Sequence, residues 1–159
     1  MGQINFFKEA IRFRLNRQDE LRKWITAIAR QRQFSIVEVN YIFCTDAYLR
    51  KMNRKFLDHD YFTDIITFDN SEKTKEITAD IFISYQRVVS NAKKFNNPIS
   101  DELHRVMIHG MLHLLGFNDH TEKEKKVMRA MEEACLLQRA LAKKNSLKMI
   151  YHHQDGHHP

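Results

Sequence analysis

Apolar positions along this chain change period several times, and each change marks an element. Between residues 19 and 32, Leu21, Trp24, Ile25 and Ile28 recur at helical steps and share one face, with Arg22, Lys23, Arg30 and Arg32 mostly outward. Asp19 stands where it can cap that helix. Ile36 to Phe43 then alternates at period two and ends in an apolar run, the pattern of a strand entering a sheet interior. Upstream, residues 4 to 15 alternate only partially and predict one or two short strands. Asp46 is placed to cap a second helix through Tyr48, Leu49, Met52 and Phe56, whose polar side holds Arg50, Lys51, Arg54 and Lys55.

A loop over residues 57 to 63 precedes a strand at Asp64 to Asp69, and a polar turn from Asn70 to Glu76 leads into a strand at Ile77 to Ser84. Tyr85 to Phe95 predicts a short helix ended by Asn96-Asn97-Pro98, because the residue before proline is pushed out of helical geometry. A helix restarts at Ser100 and runs from about Asp101 to Leu115, so continuously apolar from Val106 onward that most of its sides should be buried. Gly116 stops it. Thr121 then caps a final helix carrying Val127, Met128, Met131, Leu136 and Leu137, with Glu122 and Glu124 near its positive end.

Composition narrows the class without naming a function. A chain of 159 residues with 43% hydrophobic and 29% charged content can bury one core but hardly two, and it is not a disordered composition. Residues 1 to 148 therefore read as a single domain, and residues 149 to 159, with four histidines, Gly156 and Pro159, as a flexible His-rich tail. The net charge of +6 fits a polyanionic partner without demanding one. The only cysteines, Cys44 and Cys135, belong to no paired motif, which suits a reducing compartment and argues against a thiolate-bound zinc. No signal-peptide pattern and no stretch of roughly 20 apolar residues occurs, so the expectation is a cytoplasmic protein without a membrane span.

The candidate chemistry lies at the end of the apolar helix. His109 and His113 are one turn apart on one face, and both imidazoles can reach one cation. Two unpaired imidazoles are costly to bury on so apolar a helix, and the Gly116 turn brings Asp119 and His120 back to the same end as a third donor. Two histidines plus one more ligand, with a position left open, is a catalytic zinc set. The helix thus carries part of the metalloprotease motif. The glutamate that such a protease places after its first histidine as general base is here Gly110, which disfavours a peptidase.

The stretch His109-Gly110-Met111-Leu112-His113-Leu114-Leu115-Gly116-Phe117 resembles the His-Gly-x-Leu-His-Leu-x-Gly-Tyr/Phe signature of the YbeY-type endoribonucleases, or rRNA maturation factors. The resemblance extends to Glu102 to Arg105, to Ala79-Asp80-Ile81-Phe82-Ile83-Ser84 and to Thr63 to Phe68, covering most of residues 46 to 135. It implies a single α+β domain with a small mixed sheet packed by helices. With the elements above, this becomes a four-stranded sheet and about five helices. It also implies one zinc ion, cleavage of single-stranded RNA, and a role in 16S rRNA 3′-end maturation and ribosome quality control on the ribosome. The family's third ligand is usually a histidine ten residues after the first. That place is Asp119 here, with His120 one beyond, so the gap-free count prefers Asp119 and a one-residue bulge would present His120. The family's phosphate-binding arginine is replaced by Leu57, which leaves Arg54, Lys55 and His59 as RNA-binding candidates. No proton acceptor is identified. His104, offset from His109, suits packing or hydrogen bonding, and Asp80 could bond a ligand histidine from the sheet or a backbone amide. Two rival readings remain: an RNA-binding assembly factor with a structural metal, and a metal-dependent peptide or amide hydrolase.

Overall fold

A computed structural model describes residues 2–57 and 63–155, with side chains described through residue 139. Four strands and five helices follow one another as β1 (Gln3–Lys8), α1 (Gln18–Gln31), β2 (Ser35–Cys44), α2 (Asp46–Leu57), β3 (Ile65–Asp69), β4 (Glu76–Ser84), α3 (Tyr85–Lys94), α4 (Ile99–Leu114) and α5 (Glu122–Asp155). The sheet order is β1-β2-β4-β3. The first three strands in that order are parallel, and β3 closes one edge antiparallel to β4. This is the expected α+β architecture with a small mixed sheet. No helix among the described residues is long and apolar enough to cross a membrane.

Strand alternation divides the sheet into two unlike faces. Val39, Tyr41 and Phe43 on β2, with Ile77, Ala79, Ile81 and Ile83 on β4, form the main core with Leu21, Ile25 and Ile28 of α1 and Val106, Met107, Ile108 and Met111 of α4. On the other face α2 covers one end through Leu49, against Cys44, Ile66, Phe68 and Phe82. The Tyr41 hydroxyl donates to the Met107 carbonyl at 3.0 Å and ties the sheet centre to the middle of α4. Burial pushes this phenol far above its ordinary range. Cys44 and Cys135 are likewise buried, and burial pushes their thiols up to about 12 and about 11, which keeps them protonated and inert.

Several local expectations need correction. Residues 4 to 15 supply one strand only, ending at Lys8, after which Phe13 leaves the sheet to stack on Tyr85 at a 4.0 Å centroid separation. Arg17, not Asp19, occupies the N-cap of α1 in the left-handed region (φ 57°), while Asp19 pairs with Arg22 at 2.9 Å. At α2 the Thr45 hydroxyl accepts from the Tyr48 N–H. Asp46 instead accepts from the Ser84 hydroxyl at 2.6 Å and from Arg87 at 2.9 Å, since a cross-element charge pair outweighs a cap that threonine can provide. Helix α4 begins at Ile99 with Pro98 as its N-cap, one residue before Ser100. The expected Thr121 cap is present as a reciprocal box: its hydroxyl accepts from the Glu124 N–H, and the Glu124 carboxylate accepts from the Thr121 N–H. The α5 backbone is helical through Asp155 and so runs into the expected tail.

His104 packs as expected, against Trp24 and within hydrogen-bond reach of Arg139, which also bonds Asp101. Burial, reinforced by Arg139, pushes its imidazole down to about 4. The folded value lies below the unfolded one, so stability from neutral His104 is complete above about pH 6.5 and lost as the pH falls towards 4. A His104→Gln variant should therefore show a flatter decline of urea midpoint across that window than the parent chain, whatever its stability at pH 7.5. Parallel declines would remove His104 from the acid response.

Candidate metal centre

Helix α4 lies close against the sheet because Gly110 has no side chain. A Cβ there would stand 3.0 Å from Ile65 Cδ1 and 3.2 Å from both Ile81 Cγ2 and Thr67 Oγ1. The position where a metalloprotease carries its glutamate is thus filled by β3 and β4. Installing that residue as Gly110→Glu is expected to cost roughly 1–3 kcal/mol of stability, as overpacked cores do. No peptidase activity should appear, and urea unfolding with a casein assay reads both outcomes.

The helix stops as expected of glycine. Gly116 has φ +104° and open space around its missing Cβ, so backbone conformation rather than crowding selects it. Its N–H donates to the His113 carbonyl and the Phe117 N–H to the Leu112 carbonyl, both at 3.0 Å, which satisfies the last turn of α4. The Arg32 guanidinium lies 4.7 Å from the Phe117 ring centre and helps to seat the returning chain.

This turn delivers Asp119 to the two histidines. His109 Nε2 and His113 Nε2 are 3.1 Å apart, and each is 3.4 Å from Asp119 Oδ2. A tetrahedral zinc with bonds of about 2.0–2.1 Å sets its ligand atoms roughly 3.3–3.4 Å apart, so the triangle has the edge lengths of three ligand sites. Among the described residues, these three form the His/Cys/Asp/Glu group that could hold a metal ion. His120 is exposed and stands outside the group, so the chain makes its turn without the one-residue bulge that would have presented it.

A residue that sequence reasoning missed lies behind His109. Glu132 of α5 is 4% exposed, and its Oε2 is 2.5 Å from His109 Nδ1 while its Oε1 accepts from Arg105 at 2.9 Å. Arg105 also donates twice to buried Glu102, at 3.0 and 2.5 Å. Burial alone would lower the His109 pKa, but the Glu132 bond, with the charges of Glu132, Asp64 and Asp119, raises it overall. Burial would raise Glu132, yet its bonds to His109 and Arg105 hold it below the usual carboxylate range. Burial does raise Asp64, against the opposing charges of Arg105 and His109. A signal for Glu132 was available, because it shares the buried face of α5 with Met128 and Cys135, where an acid has no cheap place without a partner.

The remaining candidates are not gathered here. Asp80, considered as a histidine partner, instead accepts from Asn40 at 3.0 Å on the opposite sheet face. Arg54 and Lys55 are exposed on α2, which packs on that same opposite face, and Leu57 is 41% exposed at its end. His59 lies outside the described residues.

The family model for endoribonuclease YbeY matches residues 3–140, from β1 through the part of α5 that carries Glu132. This chain belongs to the YbeY family. Among YbeY relatives, the endoribonuclease YbeY of Cytophaga hutchinsonii is 56% identical over 133 residues, covering 84% of this chain and 93% of that one. The endoribonuclease YbeY of Porphyromonas gingivalis is 43% identical over 137 residues, covering 86% and 90%. The solution structure of a Thermotoga maritima protein is similar with a TM-score of 0.59 and 25% identity, over 91% of this chain and 93% of that one. The YbeY match therefore spans every element that builds the metal-competent triangle.

Proposed function

We propose that this chain is a zinc-dependent endoribonuclease that cleaves single-stranded RNA, acting in the cytoplasm with the ribosome in 16S rRNA 3′-end maturation and ribosome quality control. The observation that carries the reading is the His109, His113 and Asp119 triangle in a chain whose relatives are named endoribonucleases. A donor set of two imidazoles and one carboxylate suits zinc and leaves a coordination place for substrate or water. A cation held there supplies Lewis-acid polarisation at a phosphodiester. His109, His113 and Asp119 bind it, and Arg54, Lys55 and His59 are assigned to RNA phosphates, in keeping with the net charge of +6. We place the domain at residues 1 to 148, with the His-rich residues 149 to 159 outside it.

Cleavage of a single-stranded rRNA fragment by the parent chain should fall to background both in His113→Ala and after chelation, with zinc restoring the parent alone. Equal cleavage in all three samples would mean a contaminating nuclease and end the proposal. A 2′-deoxy substitution at the cut site separates attack by the neighbouring hydroxyl, which it blocks, from attack by water, which it spares. Leu57, in the place of the family's arginine, favours a second reading, an RNA-binding assembly factor with a structural metal. Tight RNA binding without cleavage would select it. Peptide or amide hydrolysis is disfavoured by the filled space beside Gly110.

A further inference from the structure

We infer that Glu132 is the positioning residue of this metal centre, holding His109 in the one tautomer that can ligate, and that Arg105 is the clamp that holds Glu132. The inference rests on the proposed metal site and assigns part of its geometry to α5, outside the signature helix. A neutral imidazole has one donor and one acceptor nitrogen. With Glu132 Oε2 2.5 Å from His109 Nδ1, the proton belongs on Nδ1 and the lone pair on Nε2, which faces His113 Nε2 and Asp119 Oδ2. The carboxylate cannot turn away, because its other oxygen is bound to Arg105 Nη1 at 2.9 Å. Arg105 in turn is fixed through Nε and Nη2 to both oxygens of Glu102. The chain Glu102, Arg105, Glu132, His109 thus runs from α4 to α5 and back, with both carboxylates buried. Among the described residues no hydrogen bond fixes His113 Nδ1 in this way, so the two histidines are held differently.

The test uses the full chain and zinc alone as probe. Competition with a chromophoric chelator should give Glu132→Gln a zinc affinity about 10- to 100-fold weaker than the parent, the usual cost of removing an outer partner of a metal-binding histidine. Nitrogen-15 NMR of the imidazoles, recorded at a pH above the His109 titration, should show neutral parent His109 protonated at Nδ1 and bare at Nε2, and a tautomer mixture in zinc-free Glu132→Gln. If Glu132 served only to neutralise Arg105, the variant would lose stability but keep its zinc affinity within about twofold, which overturns the inference. A parent His109 carrying its proton on Nε2 overturns it too, and needs no variant to fold. A parent chain that binds no zinc defeats the metal reading itself, whereas equal binding by parent and variant defeats only this assignment.

Discussion

Replacing Asp119 by alanine is expected to weaken zinc binding by roughly 100-fold or more, because loss of an outer partner alone costs about 10- to 100-fold and this removes a proposed ligand. His120→Ala should stay within about twofold of the parent. The contrast follows from position: Asp119 Oδ2 is 3.4 Å from both Nε2 atoms, while the His120 side chain is exposed beyond the turn. Chelator competition on both variants checks it, with circular dichroism to confirm that each folds. A reversed order of affinities would move the third ligand to His120 and require the turn after Gly116 to bulge by one residue.

Arg105→Met should produce the largest loss of stability among the variants considered. It leaves Glu102 without its charge partner and Glu132 with His109 alone, at 3% and 4% exposure. Removing one partner of a buried ion pair costs about 3–5 kcal/mol, and the 32% exposure of the Arg105 side chain places the expectation near the low end. For a domain of this size that is a fall in Tm on the order of 10 °C, readable by calorimetry. Acid should narrow the gap between variant and parent. Glu132 titrates below its ordinary value, so the stability it contributes is complete above about pH 4.5 and lost as the pH falls through the lowered value. A Tm difference unchanged down to pH 3 would contradict this account of the network.

The helix that carries the candidate metal ligands was legible in the sequence because its signals are local. Two histidines one turn apart and a glycine stop define which atoms converge, and the gap-free count preferred Asp119 over His120. Glu132 was not legible, since nothing local ties residue 132 to residue 109. Only the packing of α5 on α4 brings them together, and an acid among Met128, Met131 and Cys135 is a clue without an address. Asp80, open between a ligand histidine and a backbone amide, stayed undecided for a related reason. Strand alternation puts it on the sheet face away from α4, and its parity relative to the buried Ala79 and Ile81 could have excluded it. The helix starts failed at Asp19 and Asp46 because an aspartate near a helix start can cap or pair, and here both found arginines. Residues after Lys8 looked strand-like through Ile11 and Phe13, whose partial burial against the core is met without sheet pairing.

Trp24 is the only tryptophan in the chain, and its indole N–H donates at 2.8 Å to the Cys135 carbonyl of α5. Its intrinsic fluorescence therefore reports on the seating of α5 against α1, three residues from Glu132, beside the His104 ring of α4. Detachment of α5 would expose the 7% accessible ring and shift its emission to the red. Compared with the far-ultraviolet circular dichroism of the whole chain, that optical signal would tell local undocking of α5 from global unfolding, without any label.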